Sequence, residues 1–157
     1  MKTLVAVALL MLAACTPAGP QSYDGAAVRN GVTALVQRWS DAGEASDWDA
    51  LADTYADVEG FSWVERGEVR YTNHAAIIAG LQQARDAGLS VTNDVSDIEV
   101  TPLSAEAAAY RANYRLAVTS PQFSFTSEGI LSGVAIRQDG TWRFLHGSLN
   151  EHTPDQN

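Results

Sequence analysis

Three titratable side chains in strand-like segments are the main candidates for acid or base chemistry in this sequence: His146, Glu128 and Glu65. A histidine titrates near neutral pH, which suits proton transfer. A carboxyl group enclosed in a cavity has its pKa raised by desolvation, so either glutamate could also exchange a proton with a ligand. Each residue has an ordinary alternative, a hydrogen-bonded structural histidine or a solvated charge at a strand edge. The choice between catalytic and structural roles stays open.

Other kinds of chemistry lack their residue patterns. The chain has one cysteine, Cys15, and its three histidines do not have the spacing of a metal site. No nucleophile elbow, glycine-rich phosphate loop or cysteine–histidine pair is present in the sequence. Asp and Glu number 19 against 10 Lys and Arg, and the net charge of −9 repels nucleic acid. We therefore expect no metal, no cofactor and no nucleic-acid partner.

The first segment has the pattern of a secretory signal. Lys2 precedes an apolar run of nine residues, 4–12, which is too short for a membrane-spanning helix of about 20 residues. The run leads into Leu12-Ala13-Ala14-Cys15, which resembles the bacterial lipobox, where a thiol is acylated and the preceding bond is cut. An ordinary signal peptide, with Cys15 as a bystander, is the alternative.

The lipobox predicts the organisation of the precursor. Residues 1–14 would be the signal peptide, Cys15 would carry the lipid that attaches the protein to a membrane, and 15–24 would be a flexible tether of small residues, proline and glycine. The residue after the cysteine is Thr16 and not an aspartate, and in proteins of this type the absence of aspartate there usually means delivery to the outer membrane. In a Gram-negative host we therefore expect the protein on the periplasmic face of the outer membrane. The folded domain is expected over 25–151, with 152–157 as a tail.

Apolar spacing predicts three helices before any long strand. Apolar residues three or four apart predict a helix from Asp24 to Ala45. A shorter helix follows the polar cap at 46–49, and a third begins after Asn73 and ends at Ala87-Gly88. The first helix has this buried stripe: Val28, Val32, Leu35, Val36 and Trp39.

The remaining segments have strand patterns. A small hairpin is expected at 61–65 and 69–72 around Arg66-Gly67. Four longer strands are expected at 91–101, 107–119, 122–137 and 141–150, and Asp139-Gly140 is a strong hairpin signal. Helices followed by an antiparallel meander predict an α+β domain with the helices on one face of the sheet.

The order of these elements and three local strings resemble the NTF2-like superfamily, particularly its SnoaL-like and DUF4440-like members. The strings are VQRW at 36–39, DWDAL at 47–51 and DGTWRFLHG at 139–147. The resemblance implies a cone, in which three helices pack on a strongly curved, mostly antiparallel sheet that encloses an apolar cavity. Such a fold hosts many functions, so the function has to be argued from the site.

Alternation along the strands predicts which side chains line that cavity. Tyr110 and Tyr114 share one face of their strand, and the last strand is expected to present His146 and Ser148 on the same face as Phe144. An aromatic cavity with few polar groups suits a small, mostly apolar ligand. Plain core packing of the aromatic side chains is the alternative. The expected lining is Trp39, Tyr55, Phe61, Trp63, Tyr110, Tyr114, Phe144, His146 and Ser148.

The catalytic pattern of the ketosteroid isomerases, which belong to this superfamily, is missing. Its tyrosine position falls on Trp39, its base near Trp63 and its second acid near Ser132, and an indole cannot act as the base. We therefore expect a lipid-anchored cell-envelope protein that binds a small ligand. A SnoaL-like enzyme of isomerase, cyclase or hydratase type is the alternative, and a structural module that dimerises through the sheet is a weaker one.

Overall fold

Residues 22–152, the part of the chain that the computed structural model describes, form three helices and six strands. The predicted signal peptide, the lipidation site Cys15 and the tail beyond His152 lie outside these residues. No helix within 22–152 is long and apolar enough to span a membrane. In chain order the elements are α1 (Gly25–Glu44), α2 (Trp48–Ala52), β1 (Ser62–Glu65), β2 (Glu68–Tyr71), α3 (His74–Asp86), β3 (Ser90–Pro102), β4 (Ala107–Thr119), β5 (Ser124–Gln138) and β6 (Thr141–Glu151).

Side-chain caps explain where the helices begin. Asp24 accepts hydrogen bonds from the backbone N–H groups of Ala26 and Ala27 at the start of α1. Asp47 and Asn73 do the same for the first turns of α2 and α3. Such caps satisfy N–H groups that have no partner inside the helix. The apolar stripe of α1 is buried, with Val32, Leu35 and Val36 at 0% exposure.

The six strands form one sheet in the order β2-β1-β6-β5-β4-β3. Neighbouring strands are antiparallel except β1 and β6, which run parallel. Two-residue turns close two of the hairpins, and their four residues have positive φ: 54° and 76° at Arg66-Gly67, and 51° and 78° at Asp139-Gly140. This backbone twist matches that of the flanking strands. The predicted α+β cone, with helices on a mostly antiparallel sheet, is confirmed.

The face that each strand turns towards the helices follows simple alternation in β4 but not in β6. Tyr110, Ala112 and Tyr114 of β4 are buried. In β6, Phe144 pairs with Ala135 and His146 with Val134, so Leu145 is an extra residue in the strand. This β-bulge reverses the alternation beyond it. Gly147 and Leu149 therefore face inward with Phe144, and His146 is exposed.

Candidate functional site

The interior of the cone is filled by aromatic side chains. Phe144 is at the centre of the cluster, with its ring centroid 5.0 Å from that of Tyr110 and 5.7 Å from that of Trp63. Close-packed rings at these separations are typical of a core. Six of the side chains that were predicted to line a cavity are therefore core residues, all at most 5% exposed: Trp39, Tyr55, Phe61, Trp63, Tyr110 and Phe144.

The polar atoms of this aromatic core are satisfied internally. The indole N–H of Trp39 donates to the Tyr55 hydroxyl at 2.9 Å. The Tyr110 hydroxyl donates to the backbone carbonyl of His146 at 3.0 Å. Burial raises the pKa values of Tyr55 and Tyr110 above the ordinary value of a tyrosine, so both hydroxyls stay protonated. These two tyrosines contribute packing and hydrogen bonds to the fold.

His146 and Ser148 lie on the outer face of the sheet, so their predicted place in the cavity is wrong. The β6 bulge is the physical reason, because it reverses the alternation after Phe144. The exposed His146 has its Nδ1 2.8 Å from the Ser62 hydroxyl. Ser148 donates to the side-chain oxygen of Asn150 at 3.2 Å. Neither residue can contact a ligand inside the cone.

The two candidate glutamates are separated by the sheet. Glu128 is exposed on the outer face, opposite Arg115 on β4, whereas Ser127 beside it faces inward. Glu65 is half-buried and lines a cavity at the open end of the cone. Of the three predicted acid or base candidates, only Glu65 is placed where a ligand inside the cone could meet it.

A cavity of about 530 Å³ lies at the open end of the cone. This volume is in the range of small-molecule sites, roughly 300–1,000 Å³. Tyr114 is the one member of the predicted lining that borders it. The other walls come from β1, β2, β4, β5, β6 and the segment before β3. The lining residues are Glu65, Arg66, Glu68, Arg70, Tyr71, Leu89, Tyr114, Leu116, Val118, Phe123, Phe125, Ser127, Leu149 and Glu151.

Two phenylalanines at the mouth of this cavity are exposed to solvent. Phe123 is 50% exposed and Phe125 37% exposed. Their rings stack with centroids 6.2 Å apart and planes at 17°. Leu116 and Val118 of β4 continue this apolar wall towards the interior. One side of the cavity is thus an apolar surface that a ligand could cover.

A chain of hydrogen bonds forms part of the polar side. The Tyr114 hydroxyl is 2.9 Å from Ser127 Oγ, and Ser127 Oγ donates to Glu151 Oε1 at 3.0 Å. Ser127 has a single hydroxyl proton, so Tyr114 must be the donor in the first bond. Arg66 Nε donates to the same Glu151 oxygen at 3.1 Å. The chain connects a deep tyrosine to an arginine at the mouth.

Glu65 is the carboxyl group lining this cavity whose pKa is shifted. Desolvation raises its pKa, and the opposing effects of the Arg70 charge, the hydrogen bond with Trp63 and the Arg66 charge do not cancel the rise. Burial likewise raises the pKa of Tyr114. A half-buried carboxyl with a raised pKa can donate or accept a hydrogen bond with a bound ligand. Within residues 22–152, no three His, Cys, Asp or Glu side chains converge as metal ligands.

The sequence prediction missed most of this cavity. Leu149 and Glu151, which face inward beyond the bulge in β6, were not among the predicted lining residues. Arg66 was treated only as a turn residue. The alternating aromatic residues Phe123 and Phe125, directly after the Ser120-Pro121 turn, were the available signal for an apolar mouth.

Comparison with solved structures places this fold among known ones. An NTF2-like protein from Salmonella enterica serovar Typhimurium has a TM-score of 0.70 and 12% identity, covering 83% of this chain and 94% of the other. A proposed scytalone dehydratase from Novosphingobium aromaticivorans has a TM-score of 0.72 and 15% identity, covering 82% and 86%. LinA has a TM-score of 0.68 and 14% identity, covering 82% and 88%. Because these three proteins are at most 15% identical to the chain, the structural similarity shows a shared fold alone.

The sequence comparisons add the family. No curated protein matches the chain. The sequence pattern of the SnoaL-like domain matches residues 25–147, which is most of the chain and includes α1 through the bulge of β6. The chain therefore belongs to the SnoaL-like family, and its three-helix, six-strand cone is the fold of NTF2-like proteins.

Proposed function

We propose that this protein binds a small, mostly apolar ligand in the cavity at the open end of its cone. The observation that carries the proposal is a cavity of about 530 Å³ with a continuous apolar wall on one side and charged and hydroxyl side chains on the other. Binding sites for small molecules combine apolar walls with polar groups that fix the orientation of the ligand. Because aromatic side chains fill the core, the ligand would lie at the open end of the cone and not deep among the helices.

The exposed phenylalanines support a bound ligand. Phe123 and Phe125 keep large apolar surfaces in water beside an open cavity, which costs free energy unless another molecule covers them. Tyr114 and Ser127 supply hydroxyl groups at the inner end, where they can fix a ligand's orientation. An apolar wall that faces hydroxyl and charged side chains favours a ligand that carries both a ring and a polar group.

Uptake of the environment-sensitive dye N-phenyl-1-naphthylamine tests this proposal. The fluorescence of the dye should rise and saturate with wild-type protein. Leu116→Trp would place an indole in the cavity, in the space that the dye needs. Dye binding should weaken by about tenfold or more, because the dye would lose one well-buried apolar contact surface.

The matched control is Leu103→Trp. Leu103 is 56% exposed after β3, at the other end of the sheet, so the same substitution there should leave dye binding unchanged. Wild-type protein that takes up no dye, or equal losses in the two variants, would contradict the proposed binding function.

Acid or base catalysis in the same cavity is the second candidate, because Glu65 lies there with a raised pKa. Enzymes use such carboxyl groups to move protons to and from carbon or oxygen. The test is incubation with a panel of small cyclic ketones in deuterated water, followed by mass spectrometry. Deuterium incorporation by wild type that is lost in Glu65→Gln would support catalysis, and no incorporation by wild type would count against it.

The lipid anchor predicted at Cys15 suggests how the cavity is oriented. Tyr23 donates a hydrogen bond to the Pro102 carbonyl, and Pro102 ends β3 at the far end from Ser90 and the cavity residue Leu89. A tether that enters the domain near Pro102 would therefore leave the mouth pointing away from the membrane. Such an arrangement favours a ligand that arrives from the aqueous compartment.

Cys15→Ser tests the anchor. The variant should lose tight membrane association because it removes the thiol that would carry the lipid. Cell fractionation with a carbonate wash measures this association, and equal retention of variant and wild type would show that Cys15 is not the anchor.

A further inference from the structure

The mouth of the cavity already holds a cation supplied by the chain itself. The guanidinium carbon of Arg66 lies 5.4 Å from the centroid of the Phe125 ring, and Arg66 Nε is 3.1 Å from Glu151 Oε1. A ring face and a carboxylate on two sides of a positive group are the combination that proteins use to recognise ammonium ligands. Arg66 occupies this place from a two-residue turn between β1 and β2.

Arg66 is held there weakly. Its side chain is 65% exposed, and that of Glu151 is 39% exposed, so water and salt screen their interaction. An exposed ion pair of this kind contributes little to stability, and a long arginine side chain can swing into solvent at small cost. A ligand with its own positive charge could therefore replace the guanidinium on Phe125 and Glu151.

The charges around the cavity favour such a ligand over an anion. Glu65, Glu68 and Glu151 line it, against Arg66 and Arg70. Within residues 22–152, neither Glu65 nor Glu68 lies within 4.0 Å of a positively charged side-chain nitrogen. When Arg66 swings out, three carboxyl groups face one guanidinium. The net charge of −9 on the whole chain also draws cations towards the protein and repels anions.

We propose that the cavity selects small organic cations, amines that carry an apolar ring, and that Arg66 is a built-in competitor for the same place. The ring of the ligand lies along Phe123 and Phe125, and its ammonium group takes the position of the guanidinium beside Glu151. This inference rests on the proposed binding function and adds the charge class of the ligand.

The test compares three naphthalene compounds of similar size whose one-carbon substituent carries a positive, a neutral or a negative group: 2-naphthylmethylammonium, 2-naphthylmethanol and 2-naphthoate. Each is titrated against wild-type protein carrying N-phenyl-1-naphthylamine, and displacement of the dye gives its affinity. The ammonium compound should bind about tenfold more tightly than naphthoate, with the alcohol in between, because one charge-assisted contact is exchanged for a repulsive one. Glu151→Gln should remove most of this preference while leaving the affinity for the alcohol within about twofold.

Two arginine variants separate local competition from overall charge. Arg66→Gln should raise the affinity for the ammonium compound severalfold, because the competitor is gone. Arg111→Gln changes the net charge equally, but Arg111 lies on the outer face of the sheet, paired with Glu99, so it should have a much smaller effect.

The outcomes distinguish this inference from the function on which it rests. Dye uptake with equal affinities for the three compounds, or with naphthoate as the tightest ligand, would overturn cation selection and leave the binding function standing. Equal effects of Arg66→Gln and Arg111→Gln would overturn the role of Arg66 as competitor. Absence of dye uptake by wild type would overturn the binding function and the cation selection together.

Discussion

Phe144→Ala tests whether the aromatic cluster is a packed core or a ligand lining. Phe144 is 0% exposed, and its ring centroid lies 5.0–6.4 Å from those of Tyr110, Trp63, Tyr55 and Trp39. Truncation of a buried phenylalanine to alanine costs about 3–5 kcal/mol. Each aromatic pair adds about 0.5–1.5 kcal/mol beyond the buried area, so four lost pairs point to the upper end, about 4–5 kcal/mol.

A loss of this size is easily measured. Domains of this length have a free energy of unfolding of about 5–15 kcal/mol, so the variant should lose a large share of it. The Tm should fall by about 12–20 °C, at about 3–4 °C per kcal/mol. Urea unfolding followed by tryptophan fluorescence and by far-ultraviolet circular dichroism gives the free energy from two independent probes.

Phe125→Ala is the matched control, since the same substitution falls on a residue that is 37% exposed at the cavity mouth. It should cost no more than about 1 kcal/mol of stability and should weaken uptake of N-phenyl-1-naphthylamine. The reasoning is refuted if Phe144→Ala costs less than about 1 kcal/mol and abolishes dye uptake, because the cluster would then be a ligand site and not a core.

Three further changes have defined outcomes. Gly147→Ala should cost about 1–3 kcal/mol in urea unfolding, because the added Cβ would overlap the Trp63 ring; an unchanged midpoint would contradict this close packing. The folded-state pKa of Glu65 is raised above 4.5, so the folded state binds the proton more tightly and stability falls as pH rises from the unfolded pKa through the folded one. Glu65→Gln should therefore have the same free energy of unfolding as wild type at about pH 3, well below the unfolded pKa, and a higher one at about pH 8. A difference in urea unfolding that does not change with pH would show that the raised pKa of Glu65 is not responsible. Asp24→Ala should cost about 0.5–2 kcal/mol, because it removes the cap of α1, and Asp24→Asn should restore most of it.

Local patterns along the chain were sufficient for the elements of the fold. Apolar spacing predicted a helix from Asp24 to Ala45, and the cap at Asn73 predicted where α3 begins, since both signals are local in the chain. Asp139-Gly140 predicted its hairpin because positive φ is a property of two residues. Alternation in β4 correctly placed Tyr110 and Tyr114 on the inner face, as no bulge interrupts its pairing with β5.

The candidate site depended on features that no single segment contains. The extra residue Leu145 is a bulge only relative to its partner strand, and it decides that His146 faces out and Glu151 faces in. Whether aromatic side chains leave a void depends on how rings from α1, β1, β4 and β6 fill one volume.

The sequence by itself therefore determined the order of the elements, their ends and the inner face of β4, because these follow from contacts between near neighbours in the chain. Only the tertiary structure decided that the aromatic residues form a core, that the cavity lies at the mouth, and that Arg66 meets Phe125 and Glu151 there. The contact between Arg66 and Glu151 joins residues 85 positions apart, and its geometry is set by the curvature and register of the whole sheet.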